Sequence, residues 1–300
     1  MARAGSGVLA MALAVGIWAA WILIVRATVQ PGAIAPLGPL ELAVLRYAGP
    51  AILLAPVWLR IGVLPRGVAR WRLAAMVLGW GAPFPLFAAQ GLKTADPALF
   101  AALVPGAMPL WVAALSTVFL GARPDWRGRV GLALIVSAVG LALAPAALAG
   151  DALTLAAAPW LLAASFSWAV YTVAFRGSGL TPIEATAVVG FWSTLALAPA
   201  ALVVGVDYAN LPTAALAAQV GFHAVMAGVV SVAAFAYGVQ ALGAQRAAAL
   251  SALTPVTAAV GGVVVLGEPI SGLLAAAIIA ATAGVALLNA SPGVRPSPAR

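Results

Sequence analysis

The chain has 300 residues, 64% of them hydrophobic and 7% charged, with a formal charge of +8 and no cysteine. Soluble domains carry roughly 25% charged residues, so most of this surface is excluded from water, and the missing thiols exclude disulfides, thiolate chemistry and cysteine metal sites. The basic excess does not suit a nucleic-acid surface either, because the arginines stand at the ends of apolar runs and not in one patch.

Pro, Gly and charge divide the chain into ten apolar segments, near 8–28, 37–59, 71–92, 96–120, 128–148, 154–175, 182–205, 214–240, 244–266 and 270–290. Continuous runs of about 20 residues predict membrane-spanning helices, not the alternating ten-residue strands of a barrel. The first run is longer than a signal-peptide core and no clear cleavage site follows, so it reads as a retained helix. Trp18 and Trp21 lie on it at i and i+3, deeper than an interfacial belt. They are predicted to line a pocket.

The second segment carries Arg46, with Glu41 five residues earlier, a poor pairing distance on a helix. Snorkelling to the outer surface is the expectation for Arg46; the alternative is that it anchors a substrate carboxylate or a helix C-terminus. In the third segment Trp80, Phe84 and Phe87 fall at i, i+4 and i+7, with Gln90 one turn on. Pro83 and Pro85 interrupt this aromatic face and free backbone carbonyls, tolerable where these are buried or line a cavity. The alternative is a packing kink with lipid-facing rings. In the fourth segment Pro105 and Pro109 bracket Gly106.

Trp168 and Tyr171 repeat the i, i+3 pair in the sixth segment. His223, the one histidine, falls near the middle of the eighth, with Val230 and Tyr237 at +7 and +14 on one helical stripe. An intramembrane ionisable group invites a functional role, here binding or proton exchange. The preferred reading is a neutral histidine bonded to a carbonyl across a helix interface. Thr254-Pro255 opens the ninth segment as a second broken helix, and broken helices offer half-helix ends to a substrate. Pro83, Pro85, Pro109 and Pro255 are the candidate hinges. Gly261 and Gly262 read as close-packing positions.

With the N-terminus in the cytoplasm, the inner ends hold Arg3, Arg60, Arg66, Arg70, Arg72, Arg123, Arg127, Arg129, Arg176, Arg246, Arg295 and Arg300. The outer ends hold only Arg26 and Lys93, a strong positive-inside bias. Both termini are therefore expected in the cytoplasm of a bacterial inner membrane.

The two halves echo one another. Trp18-Ala19-x-Trp21-x₄-Arg26 returns as Trp168-Ala169-x-Tyr171-x₄-Arg176. Glu41 with Ala55-Pro56 returns as Glu184 with Ala198-Pro199, Ala102-Leu103-x-Pro105 as Ala252-Leu253-x-Pro255, and Leu120-Gly121 as Leu266-Gly267. Gly128-x₁₁-Gly140 returns as Gly272-x₁₁-Gly284. Five spans per half is an odd number, so the second copy is expected upside down. The predicted organisation is all-α: 1–150 as the first five-helix repeat, 151–290 as the second, inverted one, and 291–300 as a disordered cytoplasmic tail.

The chain resembles the drug/metabolite transporter superfamily, in its ten-helix EamA-type group. The resembling residues are Trp18 with Arg26, Leu45-Arg46-Tyr47, Ala102-Leu103-x-Pro105 and Leu266-Gly267-Glu268-Pro269, spread over about 8–290. The resemblance implies export of small metabolites, often amino acids, through a cavity lined by the first, third, fourth, sixth, eighth and ninth helices. Two features depart from the pattern. Trp21 stands where small polar residues are usual, and the first half reads Leu120-Gly121-Ala122-Arg123 without the acid.

No carboxylate lies deep in a span, and the sequence has no GxxxxGK[ST], HExxH or GxSxG motif. No ATPase, metal or hydrolytic site and no cofactor is therefore expected. The reading is a secondary transporter working by alternating access, a monomer or homodimer in the lipid bilayer, binding a small amphipathic substrate. A multidrug or lipidic-compound exporter is the first rival and an intramembrane enzyme the second.

Overall fold

A computed structural model describes residues 2–121 and 124–290. Ala122, Arg123 and the tail expected over 291–300, with Arg295 and Arg300, lie outside the described residues. The described residues are helical throughout, linked by short turns. The helices are α1 (Ala2–Val29), α2 (Pro39–Leu53), α3 (Ala55–Ile61), α4 (Arg70–Trp80), α5 (Pro83–Leu92), α6 (Pro97–Leu103), α7 (Met108–Leu120) and α8 (Trp126–Ala149). They continue with α9 (Ala152–Arg176), α10 (Pro182–Val204), α11 (Thr213–Val220), a π-helical stretch (Gly221–Val230), α12 (Ser231–Leu242), α13 (Ala244–Ser251), α14 (Thr254–Leu266) and α15 (Gly272–Ala290).

Among the described residues eight helical segments are long and apolar enough to cross a membrane. A ninth counts if α2 and α3, bent by 66° at Leu54, form one span. The tenth predicted span corresponds to α15, whose apolar stretch Gly272–Leu288 is shorter. The breaks fall where the prolines stand. Pro83 and Pro85 divide α4 from α5, Pro105 and Pro109 divide α6 from α7, and Pro255 opens α14. Proline has no N–H and clashes with the carbonyl four residues back.

Acids at the helix ends are caps. Asp96 accepts from Leu99 N at 2.6 Å, Asp125 from Gly128 N at 2.8 Å and Asp151 from Thr154 N at 3.0 Å. Thr181 and Glu184 form a reciprocal capping box on α10. The repeated Leu-Gly has the same cause in both halves: Gly121 (φ +65°) ends α7 and Gly267 (φ +69°) ends α14 in the left-handed conformation.

Packing follows the repeat. α1 lies against α12 and α14, while its counterpart α9 lies against α4, α5 and α7. α2 pairs with its counterpart α10, and α8 with α15. The last pair touches backbone to backbone: a Cβ on Gly131 would stand 2.6 Å from Gly284 O, and one on Gly284 2.7 Å from Gly131 O. Small residues allow such an approach, and the gain is van der Waals contact, since lipid competes for apolar surface.

Candidate functional site

The break between α4 and α5 organises the centre of the bundle. Pro83 and Pro85 cannot donate to Gly79 O and Gly81 O. Gly81 O accepts instead from Phe84 N at 3.2 Å and from the Tyr47 hydroxyl at 2.9 Å. The same hydroxyl also donates to Trp80 O, so one phenolic proton is shared between two carbonyls at the break. Ser193 of α10 approaches the same turn: a Cβ on Gly81 would meet its Oγ at 2.3 Å. Gly79 lets α4 press on α9, where a Cβ would stand 2.5 Å from Tyr171 N.

These contacts bring five predicted residues into one aromatic cluster. Trp80 stacks on Phe84 at 4.3 Å between ring centroids and lies 5.0 Å from Trp168 and 5.8 Å from Tyr171. Phe84 stacks on Trp21 at 5.9 Å. Trp21 also meets Phe100 edge-on at 6.3 Å. Residues of α1, α5 and α9, far apart in the sequence, thus form one wall.

Arg46 sits inside this cluster. Its guanidinium carbon lies 4.9 Å from the Trp21 ring centre and 5.6 Å from that of Trp80. It is 7% exposed, so it does not snorkel to the surface as its sequence position suggested. The ion pairs among the described residues are elsewhere, at Arg26–Glu268 and Arg60–Glu184, and no carboxylate neutralises Arg46. A desolvated cation–π contact is worth about 2 kcal/mol, against several kcal/mol for desolvating an ion. Two indole rings therefore soften the burial of this charge without cancelling it.

His223 is fully buried on the π-helical stretch, within electrostatic reach of Arg46. Neither ring nitrogen has a hydrogen-bond partner among the described residues, so the predicted carbonyl bond is not made. The stretch packs tightly on α2. A Cβ on Gly49 would stand 2.0 Å from Ala224 Cβ, and one on Gly228 2.4 Å from Pro50. π turns hold roughly one residue more than α turns, which breaks the expected stripe. Tyr237 points away at 44% exposure and shares a 2.8 Å hydrogen bond with Ser6.

Other predicted residues lie outside the cluster. Trp18 packs on Phe235 at 5.4 Å and Phe87 on Trp160 at 6.1 Å. Gln90 is half-buried. Beside Pro105, Val104 O accepts from Ser165 Oγ at 2.8 Å, and Thr254 Oγ1 donates to Ser251 O at 2.8 Å. The second bond answers a carbonyl that Pro255 cannot reach, while Val104 O also accepts from Met108 N at 3.2 Å.

A second polar group ties helix ends together away from the cluster. Arg26 Nε donates to Glu268 Oε1 at 2.8 Å, and its Nη1 donates to Leu92 O at 2.9 Å and Lys93 O at 3.0 Å. One side chain thus ties the ends of α1, α5 and α14. Asp96 stands within electrostatic reach of both Arg26 and Glu268, and burial pushes its carboxyl above the ordinary value. An apolar groove of about 270 Å³ lies elsewhere, between α2 and α10, lined by Val44, Thr194, Leu197, Ala198, Ala201 and Leu202. It offers no charged group to orient a polar ligand.

Tyr47 and Ser193 were not among the predicted site residues, and Arg46 entered only as the alternative to snorkelling. Leu45-Arg46-Tyr47 was visible as a motif, but nothing in it announced that the rings needed to bury Arg46 come from α1 and α4.

The model of the EamA-like transporter family matches this chain twice, over residues 5–144 and 155–290. No curated protein matches. A solved structure described as "Crystal structure of protein" is 20% identical, with 97% of this chain and 99% of that chain covered and a TM-score of 0.60, which shows a shared fold.

Proposed function

Because the chain belongs to the EamA-like transporter family, within the drug/metabolite transporter superfamily, we propose that it is a ten-helix secondary carrier of small amphipathic metabolites, amino acids foremost. The observation that carries this reading is the central aromatic cluster. Trp21, Arg46, Trp80 and Phe84 come from the first half and Trp168 and Tyr171 from the second. Carriers built from inverted repeats bind at the boundary of their halves, near the bilayer midplane, beside interrupted helices.

The two copies are taken as residues 1–150 and 151–290, inverted by an odd number of spans. The exchange of contacts between α1 and α9 supports this, since each packs on the third and fourth spans of the opposite half. The Arg26–Glu268 tie then closes the outer end, and transport requires it to open while the inner end seals. Pro83, Pro85, Pro109 and Pro255 are the hinges about which the half-helices tilt. The arginine bias orients both termini to the cytoplasm of a bacterial inner membrane. One chain holds both halves of the site, so a single copy suffices.

Purified protein in proteoliposomes tests the reading with labelled amino acids and drug-like cations. Saturable counterflow of amino acids without ATP is the expected result. Flux of bulky drugs alone would select the multidrug alternative, and hydrolytic turnover with no flux would remove the carrier.

A further inference from the structure

The central cluster holds more donors than its own acceptors answer: Tyr47 beside Arg46 is one partner for its guanidinium, and Ser193 Oγ nearby is a hydroxyl without one. Arg46 brings five N–H groups and a charge that no carboxylate among the described residues neutralises. Trp21 Nε1 is buried with no hydrogen-bond partner, and indole nitrogen donates only. His223 is fully buried with both nitrogens unpartnered and carries at least one N–H. These side chains belong to three elements, α1, α2 and the π-helical stretch, and the π-helical stretch packs on both of the others. Around them stand the flat faces of Trp80, Phe84 and Trp168.

We propose that this site is a receptor for a carboxylate anion with a flat apolar body, its acid group taken by Arg46, Trp21 Nε1 and His223 and its ring laid among Trp80, Phe84 and Trp168. The proposal rests on the carrier reading and moves its preferred substrate from amino acids to monocarboxylates. A carboxylate supplies what the protein omits here, an acceptor with about four lone-pair sites and a charge opposite to that of Arg46. Arg matches it as a planar fork. The low dielectric of the bundle makes the preference steep, because a like charge beside Arg46 is repelled far more strongly than in water. A primary ammonium therefore disfavours binding. A zwitterion is admitted only with its ammonium turned away from Arg46, toward an indole face. The expected order is monocarboxylate first, zwitterionic amino acid second, amine last.

Three probes that share one ring isolate the charge: phenylacetate, phenylalanine and phenethylamine. Binding to the full chain in lipid nanodiscs is read by titration calorimetry, and counterflow is read in proteoliposomes. The expected result is that phenylacetate binds at least tenfold tighter than phenethylamine and tighter than phenylalanine. Arg46→Gln removes at least tenfold of the phenylacetate affinity, and Arg46→Lys restores part of it. Trp21→Phe, which keeps a ring and deletes the N–H, weakens phenylacetate a few-fold. If Arg46→Gln does not fold, the order of the three probes on the unaltered chain decides.

Phenethylamine binding as tightly as phenylacetate would overturn the proposal, as would an Arg46→Gln protein with unchanged phenylacetate affinity. Counterflow of phenethylamine without phenylacetate sinks the anion site and leaves the carrier standing. Arg46-dependent binding of phenylacetate with no flux of any probe keeps the site and sinks the carrier.

Discussion

At the scale of single residues, the chemistry of the centre depends on groups that answer a helix break. The Tyr47 hydroxyl serves the carbonyls of Trp80 and Gly81 at the break before Pro83 and Pro85. Tyr47→Phe leaves the pocket shape intact and strips that donor. A buried acceptor left unsatisfied costs about 1–3 kcal/mol, so a loss of that size in unfolding free energy is expected in mild detergent. Tyr208 offers a pH test outside the membrane spans. Its hydroxyl donates to Glu41 O at 2.9 Å, and burial, reinforced by Glu41, pushes its pKa up to about 12. A raised value means the folded state holds the proton more tightly than the unfolded one. The stabilisation is therefore complete below pH 10 and is lost as pH rises toward 12, and it disappears in Tyr208→Phe. A Tyr208→Phe protein with the same alkaline loss as the parent would contradict this assignment.

At the scale of elements, three contacts set how helices meet and move. The α8–α15 pair has backbone in contact with backbone at Gly131 and Gly284. Gly131→Leu inserts a side chain where even a Cβ stands 2.6 Å from Gly284 O, and overpacking of this kind typically costs about 1–3 kcal/mol. Reduced thermal stability with the two helices splayed is the expected outcome. Gly267, at φ +69°, ends α14 before Glu268. Gly267→Ala should cost about 1 kcal/mol and, by moving Glu268, loosen the tie to Arg26. Arg26→Gln removes the ion pair while leaving Asp96 and Lys93 in place. If that tie closes the outer end, a cysteine at Thr94 becomes labelled faster by an impermeant thiol reagent in Arg26→Gln than in the parent background. Equal labelling rates would mean that the pair is not part of a closure. The π-helical stretch is the element that periodicity missed. Nothing in Gly221–Val230 departs from an apolar α-helical pattern, and Gly49 and Gly228 are where α2 and this stretch come closest.

At the scale of the whole molecule, the decisive quantity is topology. Reporter fusions after Ser6 and after Ala299 should report the same, cytoplasmic side, as an even span count demands. Opposite sides would remove one span and with it the inverted pair. The chain's apolar runs, proline breaks and repeated motifs were legible beforehand, because each is a local consequence of residue type. A run of about 20 apolar residues is a span wherever it lies, and a proline breaks its own hydrogen bond whatever surrounds it. The pairing of Trp21, Trp80 and Trp168 was legible only as three separate aromatic positions. Their meeting depends on α4 pressing on α9 at Gly79 and on Phe84 of α5 bridging to α1, a long-range property. The same holds for Arg46, whose charge favours the surface and whose spatial neighbours hold it inside.

The amino-acid sequence by itself determined that this chain is a helical membrane protein in two related halves, because the solvent preference of each run and the hand of each break are decided within a few residues. Only the tertiary structure decided that an arginine with no counter-ion among the described residues stands among rings from both halves, because burial of a charge is governed by which distant helices close over it.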